Sequence, residues 1–142
     1  MKHALAISIG FALIVISSLS GAPPASAHHS FVAEFDANQP IKVTGTVTRI
    51  EWTNPHTWFY VDVKDAAGNV TNWGMEMGSP NGLLRAGWTR KSLKPGDVVS
   101  VEGFRSRKQA HIGNAQVVIL TATGQRLFTA SSAGQSSAGQ QP

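Results

Sequence analysis

Apolar and polar residues alternate along the middle of the chain in a pattern that predicts five β-strands. In the first run, residues 43–52, β-branched or apolar residues alternate with polar ones, as in a strand with one buried face. Four further runs rich in aromatic and β-branched residues follow at 58–63, 70–77, 98–104 and 115–121. Gly45, inside the first run, predicts a bulge or a sharp bend.

The segment between the third and fourth runs breaks this alternation and predicts a short helix. Ser79 offers a capping hydroxyl and Pro80 suits the first helical position. The apolar residues that follow at spacings sharing one helix face are Leu83, Leu84 and Trp88. Three strands, a helix and two strands is the order of an OB-fold, a five-stranded partly open barrel. We therefore predict an all-β protein with one short helix, folded as an OB-like barrel over residues 41–129; another small barrel or a sandwich is the alternative.

The N-terminal segment has the three-part pattern of a secretory signal peptide. Residues 1–27 combine a short basic start, an apolar stretch and the small residues Ala25-Ser26-Ala27. The apolar stretch is shorter than the roughly 20 residues that a membrane-spanning helix needs. We predict cleavage after Ala27, a mature chain that begins at His28 without a transmembrane segment, and a periplasmic or secreted location.

Two flanking segments are predicted to lie outside the barrel. Residues 28–40 form an N-terminal arm that leads into the first strand. Residues 130–142 consist mainly of Ser, Ala, Gly and Gln, too few of them apolar to form a core, so this tail is predicted to be disordered.

The amino-acid composition excludes several kinds of site and partner. The 142 residues include no cysteine, which excludes a disulfide framework, a thiolate metal site and a cysteine nucleophile. The formal net charge is +4, and loss of Lys2 with the signal peptide lowers it to +3. A basic surplus can favour nucleic acid or an anionic membrane surface. Because the protein is predicted to be exported, we expect no nucleic-acid partner.

Both histidines of the predicted domain fall in loops that an OB-like barrel uses for binding. The loops that join strands one to two and four to five flank the ligand face of this architecture. His56 lies in the first of these loops, and His111 lies in the second, residues 105–114. The alternative is that both are ordinary exposed loop histidines.

The predicted new N-terminus supplies further nitrogen donors. His28 would offer both its α-amine and its imidazole to one metal ion, with His29 as a spare donor. A second imidazole, from His56 or His111, would complete a three-nitrogen site suited to Cu(II). An arm of about 12 residues can span roughly 40 Å when extended, so reach is no obstacle. The sequence therefore predicts a binding module with copper as its ligand.

Aromatic and basic residues near the same two loops favour a different ligand. Aromatic side chains on OB strands bind bases or sugars by stacking, and a basic pair suits an anionic group. The candidate ligand-binding residues are Trp52, Asn54, Trp58, Arg105 and Arg107. The alternative function is thus an envelope interaction module that binds a protein, a glycan or an anionic lipid.

Catalytic patterns are scarce in this sequence. There is no Ser-His-Asp spacing and no Gly-rich phosphate motif. The loop histidines lack an obvious carboxylate partner in the sequence. Glu51, Glu76 and Glu102 lie on predicted strands, without a pairing that indicates an acid and a base. We therefore expect a binding protein and not an enzyme.

Several short motifs along the mature chain form a recognisable combination. They are residues 28–31, 45–47, 52–56, 72–74, 79–85, 87–89 and 93–97. With these motifs the chain resembles an uncharacterised family of small exported bacterial proteins, and Trp52-Thr53-Asn54-Pro55-His56 is the most specific part of the match. The family is defined as a domain of unknown function, so the resemblance implies export and a small β fold but no activity or ligand.

Overall fold

The computed structural model describes residues 31–131, in which each of two short helices precedes three strands. The elements are α1 (Phe31–Glu34), β1 (Phe35–Glu51), β2 (Trp58–Lys64), β3 (Val70–Glu76), α2 (Pro80–Arg85), β4 (Val98–Ser106), β5 (Ile112–Leu120) and β6 (Arg126–Phe128). The predicted signal peptide, His28, His29 and nearly all of the predicted tail lie outside the described residues. Neither helix of this region has the length and apolar character needed to cross a membrane.

The strands pair in one sheet of order β3-β2-β1-β4-β5-β6. Neighbours in this order are antiparallel. A further parallel pairing between β3 and β5, which includes Gly74 opposite Ile112, joins five of the strands into a ring. The predicted all-β fold with a short helix between its third and fourth strands is confirmed. The structure adds the very short helix α1 and the edge strand β6.

β1 extends farther toward the N-terminus than the alternation predicts. Residues 35–40 belong to the predicted arm, but they continue β1 and pair with the end of β4, with an irregularity between Asp36 and Pro40. A second irregularity lies between Val47 and Arg49, opposite β2. The arm is therefore attached to the sheet next to the loop that joins β4 to β5.

The core lies inside the ring, and the connection from β3 to β4 covers part of it. Leu83 of α2 is fully buried, as is Trp88, whose indole Nε1 donates to the carbonyl of Phe128 at 2.8 Å. The Ser79 hydroxyl accepts from the backbone N–H of Gly82, which confirms the predicted helix start. Leu84 is exposed, so Leu83 and not Leu84 packs on the core beside Trp88.

At Gly45 and Gly78, as at Gly103, another backbone segment comes too close for a side chain. A Cβ at Gly45 would lie 2.4 Å from the carbonyl oxygen of Asp62. Gly45 therefore marks a close approach of strands, and the irregularity opposite β2 lies further along β1. A Cβ at Gly78 would lie 2.2 Å from the carbonyl oxygen of Ala130.

Gly78→Ala is expected to lower the free energy of unfolding by about 1–3 kcal/mol, the range for overpacking a tight contact, because the obstructing atom is backbone. Urea unfolding of the variant measures this effect. Gly82→Ala is the matched control, since its Cβ would meet two side-chain atoms, the Ser79 hydroxyl at 3.2 Å and the Ala130 Cβ at 3.6 Å, and Ala is preferred to Gly within a helix. We expect the control to be at least as stable as the parent. A Gly78→Ala protein as stable as the parent would contradict the packing described for this segment.

Candidate functional site

The loop between β1 and β2 is bound along the end of β3. The backbone N–H of Thr57 donates to the carbonyl of Gly78 at 3.0 Å, and the N–H of Met77 donates to the carbonyl of Thr57 at 2.8 Å. The Asn-Pro peptide bond inside this loop is cis. The two backbone bonds place His56 next to Glu76, the last residue of β3.

His56 and Glu76 form a close pair at the surface end of the sheet. Nδ1 of His56 lies 2.7 Å from Oε1 of Glu76. At this distance the imidazole acts on the carboxyl group both through its charge and through hydrogen bonding. The Glu76 side chain is 7% exposed and the His56 side chain 32% exposed. The sequence shows no obvious carboxylate partner for His56, and the structure supplies one in Glu76. With Nδ1 engaged, Nε2 is the ring nitrogen left for a ligand.

The surroundings of Glu76 favour its neutral form, and His56 opposes this effect. Burial raises the pKa of the Glu76 carboxyl, and the nearby carboxylate of Glu34 raises it further. His56 and the Asn114 amide act in the other direction, and the amide nitrogen lies 3.4 Å from Oε1. A positive charge bound at His56 would therefore stabilise the ionised form of Glu76.

A buried polar network continues behind Glu76 into β5. Asn114 is fully buried, and its side-chain oxygen accepts from the amide of Gln116. The same Gln116 amide donates to the hydroxyl of Ser131, which is also buried. Hydrogen bonds to the carboxylate of a histidine–carboxylate pair fix the orientation of that carboxylate, because buried polar atoms are almost always hydrogen-bonded. Glu76 is therefore oriented by His56 on one side and by Asn114 on the other.

A cleft of about 330 Å³ opens over His56 and Glu76. Its lining residues are Glu34, Glu51, Thr53, Asn54, Pro55, His56, Trp58, Tyr60 and Glu76. An adjacent cavity of about 250 Å³ shares Glu34, Trp58 and Glu76 with it. Three carboxylates and one imidazole therefore surround a single opening in a chain whose net charge is positive. Such a concentration of negative charge suits a cation.

Glu51, on the wall opposite Glu76, is already paired. Arg49 lies 3.1 Å from its carboxylate, and the Tyr60 hydroxyl donates to it at 3.3 Å. The Arg49 guanidinium also lies over the Tyr60 ring, 4.1 Å from its centroid. Burial and the Glu51 charge raise the pKa of the Tyr60 hydroxyl. The charge of Glu51 is therefore already compensated by Arg49.

His111 contacts a different part of the sheet. Its ring meets the edge of Trp73 with 5.4 Å between centroids, and it lines neither of the two cavities that contain Glu76. In residues 31–131, no group of three or more His, Asp or Glu side chains is placed to hold a metal ion. Of the two loop histidines, His56 alone belongs to the acidic cleft.

The two candidate arginines have partners within the chain. Arg105 donates through Nε and Nη2 to the carbonyl of Ala110, at 3.2 and 2.8 Å, and lies over the Trp73 ring. Arg107 is bound to the N-terminal arm, where it pairs with Asp36. Both guanidinium groups therefore contribute to the packing of the β4–β5 loop and the arm.

The remaining candidates divide between the cleft and the core. Asn54 and Trp58 line the cleft, and Trp58 is also part of the adjacent cavity. Trp52 is partly buried against the core, with the guanidinium of Arg90 5.6 Å from its ring centroid. The structure thus brings Asn54, Trp58 and His56 together and places Trp52 apart from them.

Glu34 and Glu76 are the site residues that sequence reasoning did not assign. A signal for Glu76 exists, because it is the one charged residue in the otherwise apolar segment 73–77 of a predicted strand. A buried carboxylate needs a partner, so such a residue indicates a functional or structural pair. No comparable local signal marks Glu34.

The sequence model of a family described as a family of unknown function, DUF6152, matches residues 15–115, which is more than half of the chain. The chain therefore belongs to this family, which confirms its resemblance to a domain of unknown function. Comparison of the chain with curated proteins and with solved structures gave no match.

Proposed function

We propose that this protein is an exported, periplasmic binding module whose ligand is a Cu(II) ion, held by the mature N-terminal His28 and by His56. The observation that carries the proposal is the His56–Glu76 pair at the base of an acidic cleft whose wall includes Glu34. Export follows from the signal-peptide pattern of residues 1–27.

The contact of His56 with a buried carboxylate supports its role as a ligand. Histidines that bind metals usually direct the other ring nitrogen to a carboxylate or a carbonyl, which fixes the ring and makes the ligating nitrogen more basic. Glu76 occupies that position at 2.7 Å from Nδ1. Nε2 of His56 is then the proposed metal ligand, and Glu76 orients it.

The arm supports the participation of His28. Glu34 lines the cleft and lies six residues after His28, a separation of at most roughly 20 Å in an extended chain. The described residues supply fewer than three donors at one point, so a stable site needs donors from elsewhere. The α-amine and imidazole of His28 would add two nitrogens to His56, and copper has the highest affinity among divalent metals for such a set.

Electron spin resonance of the mature protein with one equivalent of Cu(II) tests the proposal. We expect nitrogen hyperfine structure from three donors in the parent. His56→Ala should remove one nitrogen and lower the affinity at least about tenfold, the effect of losing about 1.4 kcal/mol of binding free energy. His111→Ala is the matched control and should bind as the parent does, because His111 lies outside the cleft.

The copper proposal is rejected if His56→Ala keeps the parent's spectrum and affinity, or if His28→Ala does. Loss of binding in His111→Ala but not in His56→Ala would move the site to the loop beside Trp73. Intact mass of the exported protein establishes whether His28 is the first residue.

The second candidate is an envelope interaction module, and Trp58 is the residue that favours it. Its indole lines both cavities around Glu76 and is partly exposed. Arg105 and Arg107 weigh against an anionic ligand, since both guanidinium groups are engaged within the chain. Co-sedimentation with phosphatidylglycerol vesicles that persists in the presence of a chelator and is lost in Trp58→Ala would favour this candidate over copper.

A further inference from the structure

The surplus positive charge of the described residues lies in one connection of the fold. All Lys and Arg except Lys2 fall within residues 31–131, eleven in number, together with all eight Asp and Glu, so this part of the chain has a net charge of +3. Residues 77–97, which join β3 to β4, contain four basic residues and one acidic residue, so this connection alone carries +3. The basic residues, all of them exposed, are Arg85, Arg90, Lys91 and Lys94.

These four cations lack the carboxylate partners that neutralise other basic residues of the chain. The basic residues that form such ion pairs are Lys42, Arg49, Arg107 and Arg126. Within residues 31–131, none of the ion pairs includes a cation of the connection. The one acidic residue there, Asp97, accepts from the backbone N–H of Lys94 at 2.9 Å. The charge of the connection is therefore available to an anionic partner.

Exposed apolar side chains border the same cations. Leu84 precedes Arg85 on α2, and Val98 follows the connection directly. The carbonyl of Phe128 accepts from the indole of Trp88, inside the connection. Leu84, Val98 and Phe128 are 54%, 45% and 64% exposed, and they are three of the five large apolar residues that are exposed in the described part of the chain. Exposed apolar residues that cluster with charge mark an interaction surface.

The inner side of the connection fixes this surface on the barrel. Its buried residues, which pack in the core, are Leu83, Trp88 and Leu93. The backbone N–H of Val47 donates to the carbonyl of Asp97 at 2.8 Å, which ties the end of the connection to β1. The exposed residues of the connection line neither the cleft nor the adjacent cavity at Glu76. The surface is thus held rigidly and is separate from the candidate site.

We infer that this basic face, which consists of the four cations with Leu84, Val98 and Phe128, docks on a bilayer surface that contains anionic phospholipid. Such a surface attracts exposed Lys and Arg, and each contributes about fivefold to the binding constant. It also accepts apolar side chains at the boundary between head groups and acyl chains. A nucleic acid offers the charge without this apolar layer. The lipid contact lies outside the proposed copper site and does not depend on copper.

Co-sedimentation with vesicles in the presence of a chelator tests the basic face. We expect the mature protein to bind vesicles made of equal parts of phosphatidylcholine and phosphatidylglycerol, but not vesicles of phosphatidylcholine alone. Binding should weaken as the salt concentration rises, because salt screens exposed charges. The double variant Lys91→Gln/Lys94→Gln should bind about 25-fold more weakly, since it removes two of the four charges.

The matched control is the double variant Lys64→Gln/Lys108→Gln. It removes the same net charge from exposed lysines at the end of β2 and in the β4–β5 loop, outside the basic face. Its vesicle binding should stay within about twofold of the parent's, because charges beyond the screening length contribute little.

Leu84→Gln tests the apolar part of the basic face. It should weaken vesicle binding about fivefold, as burial of the exposed half of a leucine side chain predicts. This loss should persist at high salt, where the contribution of the cations is screened.

A lipid contact by the basic face is excluded if vesicles without phosphatidylglycerol bind the protein equally well. Equal losses in the two lysine double variants exclude it as well, because net charge alone would then explain binding. Loss of binding in Trp58→Ala, with the Lys91→Gln/Lys94→Gln protein unchanged, would move the lipid contact to the cleft. Tighter binding to duplex DNA than to vesicles, unaffected by Leu84→Gln, would identify a polyanion as the partner instead. Because a chelator is present throughout, none of these results bears on the copper site.

Discussion

Acetylation of the α-amine of His28 is expected to weaken copper binding at the proposed site of the mature protein about a hundredfold. The acetyl group converts this amine into an uncharged amide nitrogen and adds no new amine, while the imidazole and every residue of the cleft remain. Two donors on one residue bind as a chelate, in which the second donor benefits from a high effective concentration, and avidity of this kind is worth about 10²- to 10⁴-fold. Acetylation removes that benefit without changing the number of histidines.

Competition titration with a chelator measures the loss, after intact mass has verified each N-terminus. The control is His111→Ala with a free α-amine, which should bind as the parent does because His111 lies outside the cleft. Affinity in the parent should also rise with pH through the range near 7.7–8 in which an ordinary α-amine loses its proton, and the acetylated protein should lack that rise. Equal affinities of the acetylated and parent proteins would show that the amine is not a ligand. His56 would then need a different set of partners.

The alternation of side chains was sufficient to predict the strands but not how far each one extends. The period-two pattern of residues 43–52 and the aromatic run at 58–63 depend on one buried face, which is a local property. Residues 35–40 lack a clear alternation and form a strand because β4 pairs with them. β6 is only three residues long and forms through pairing with β5. For residues 35–40 the partner strand is distant in sequence, whereas β5 directly precedes β6 along the chain.

The candidate site likewise has some residues that local sequence patterns predict and some contacts that depend on the fold. His56 could be placed in a loop at the ligand face because a turn signal and two strands surround it. Its partner Glu76 could not be assigned, since the contact depends on the bonds that tie the loop to the end of β3. Arg107 was interpreted as a ligand-binding residue of a basic loop, but it contacts Asp36, 71 positions earlier. Local patterns locate polar residues, and only the fold decides which charges pair.

The second large effect is expected in the pH dependence of stability and concerns Glu76. Burial is the main cause that raises its pKa, with Glu34 adding to it and with His56 and Asn114 opposing it. A folded-state pKa above the unfolded value means that the folded protein binds this proton more tightly. The stabilising contribution of the protonated group is therefore fully present below about pH 4.3, the ordinary glutamate value, and is lost as pH rises through the folded pKa.

The Glu76→Gln variant has no titrating carboxyl group at this position, so it lacks this contribution to the pH dependence of stability. The difference in unfolding free energy, variant minus parent, should therefore increase as pH rises from about 4.3 and level off above the folded pKa of Glu76. Urea unfolding of the metal-free proteins, with a chelator present, at several values of pH gives this difference. The measurement in the absence of metal isolates the titration of the carboxyl group from copper binding at His56.

Glu102→Gln is a control with the opposite sign. The contact of Glu102 with Lys42, at 3.0 Å, lowers its pKa, so its contribution is present above the ordinary glutamate value and is lost as pH falls through the folded pKa. Its variant-minus-parent difference should therefore decrease as pH rises, with a small amplitude because the pair is accessible to solvent. A Glu76 curve with the sign of the Glu102 curve would mean that the His56 contact outweighs burial. The cleft would then hold an ionised carboxylate in the absence of metal, and a bound cation would not need to displace the proton of Glu76.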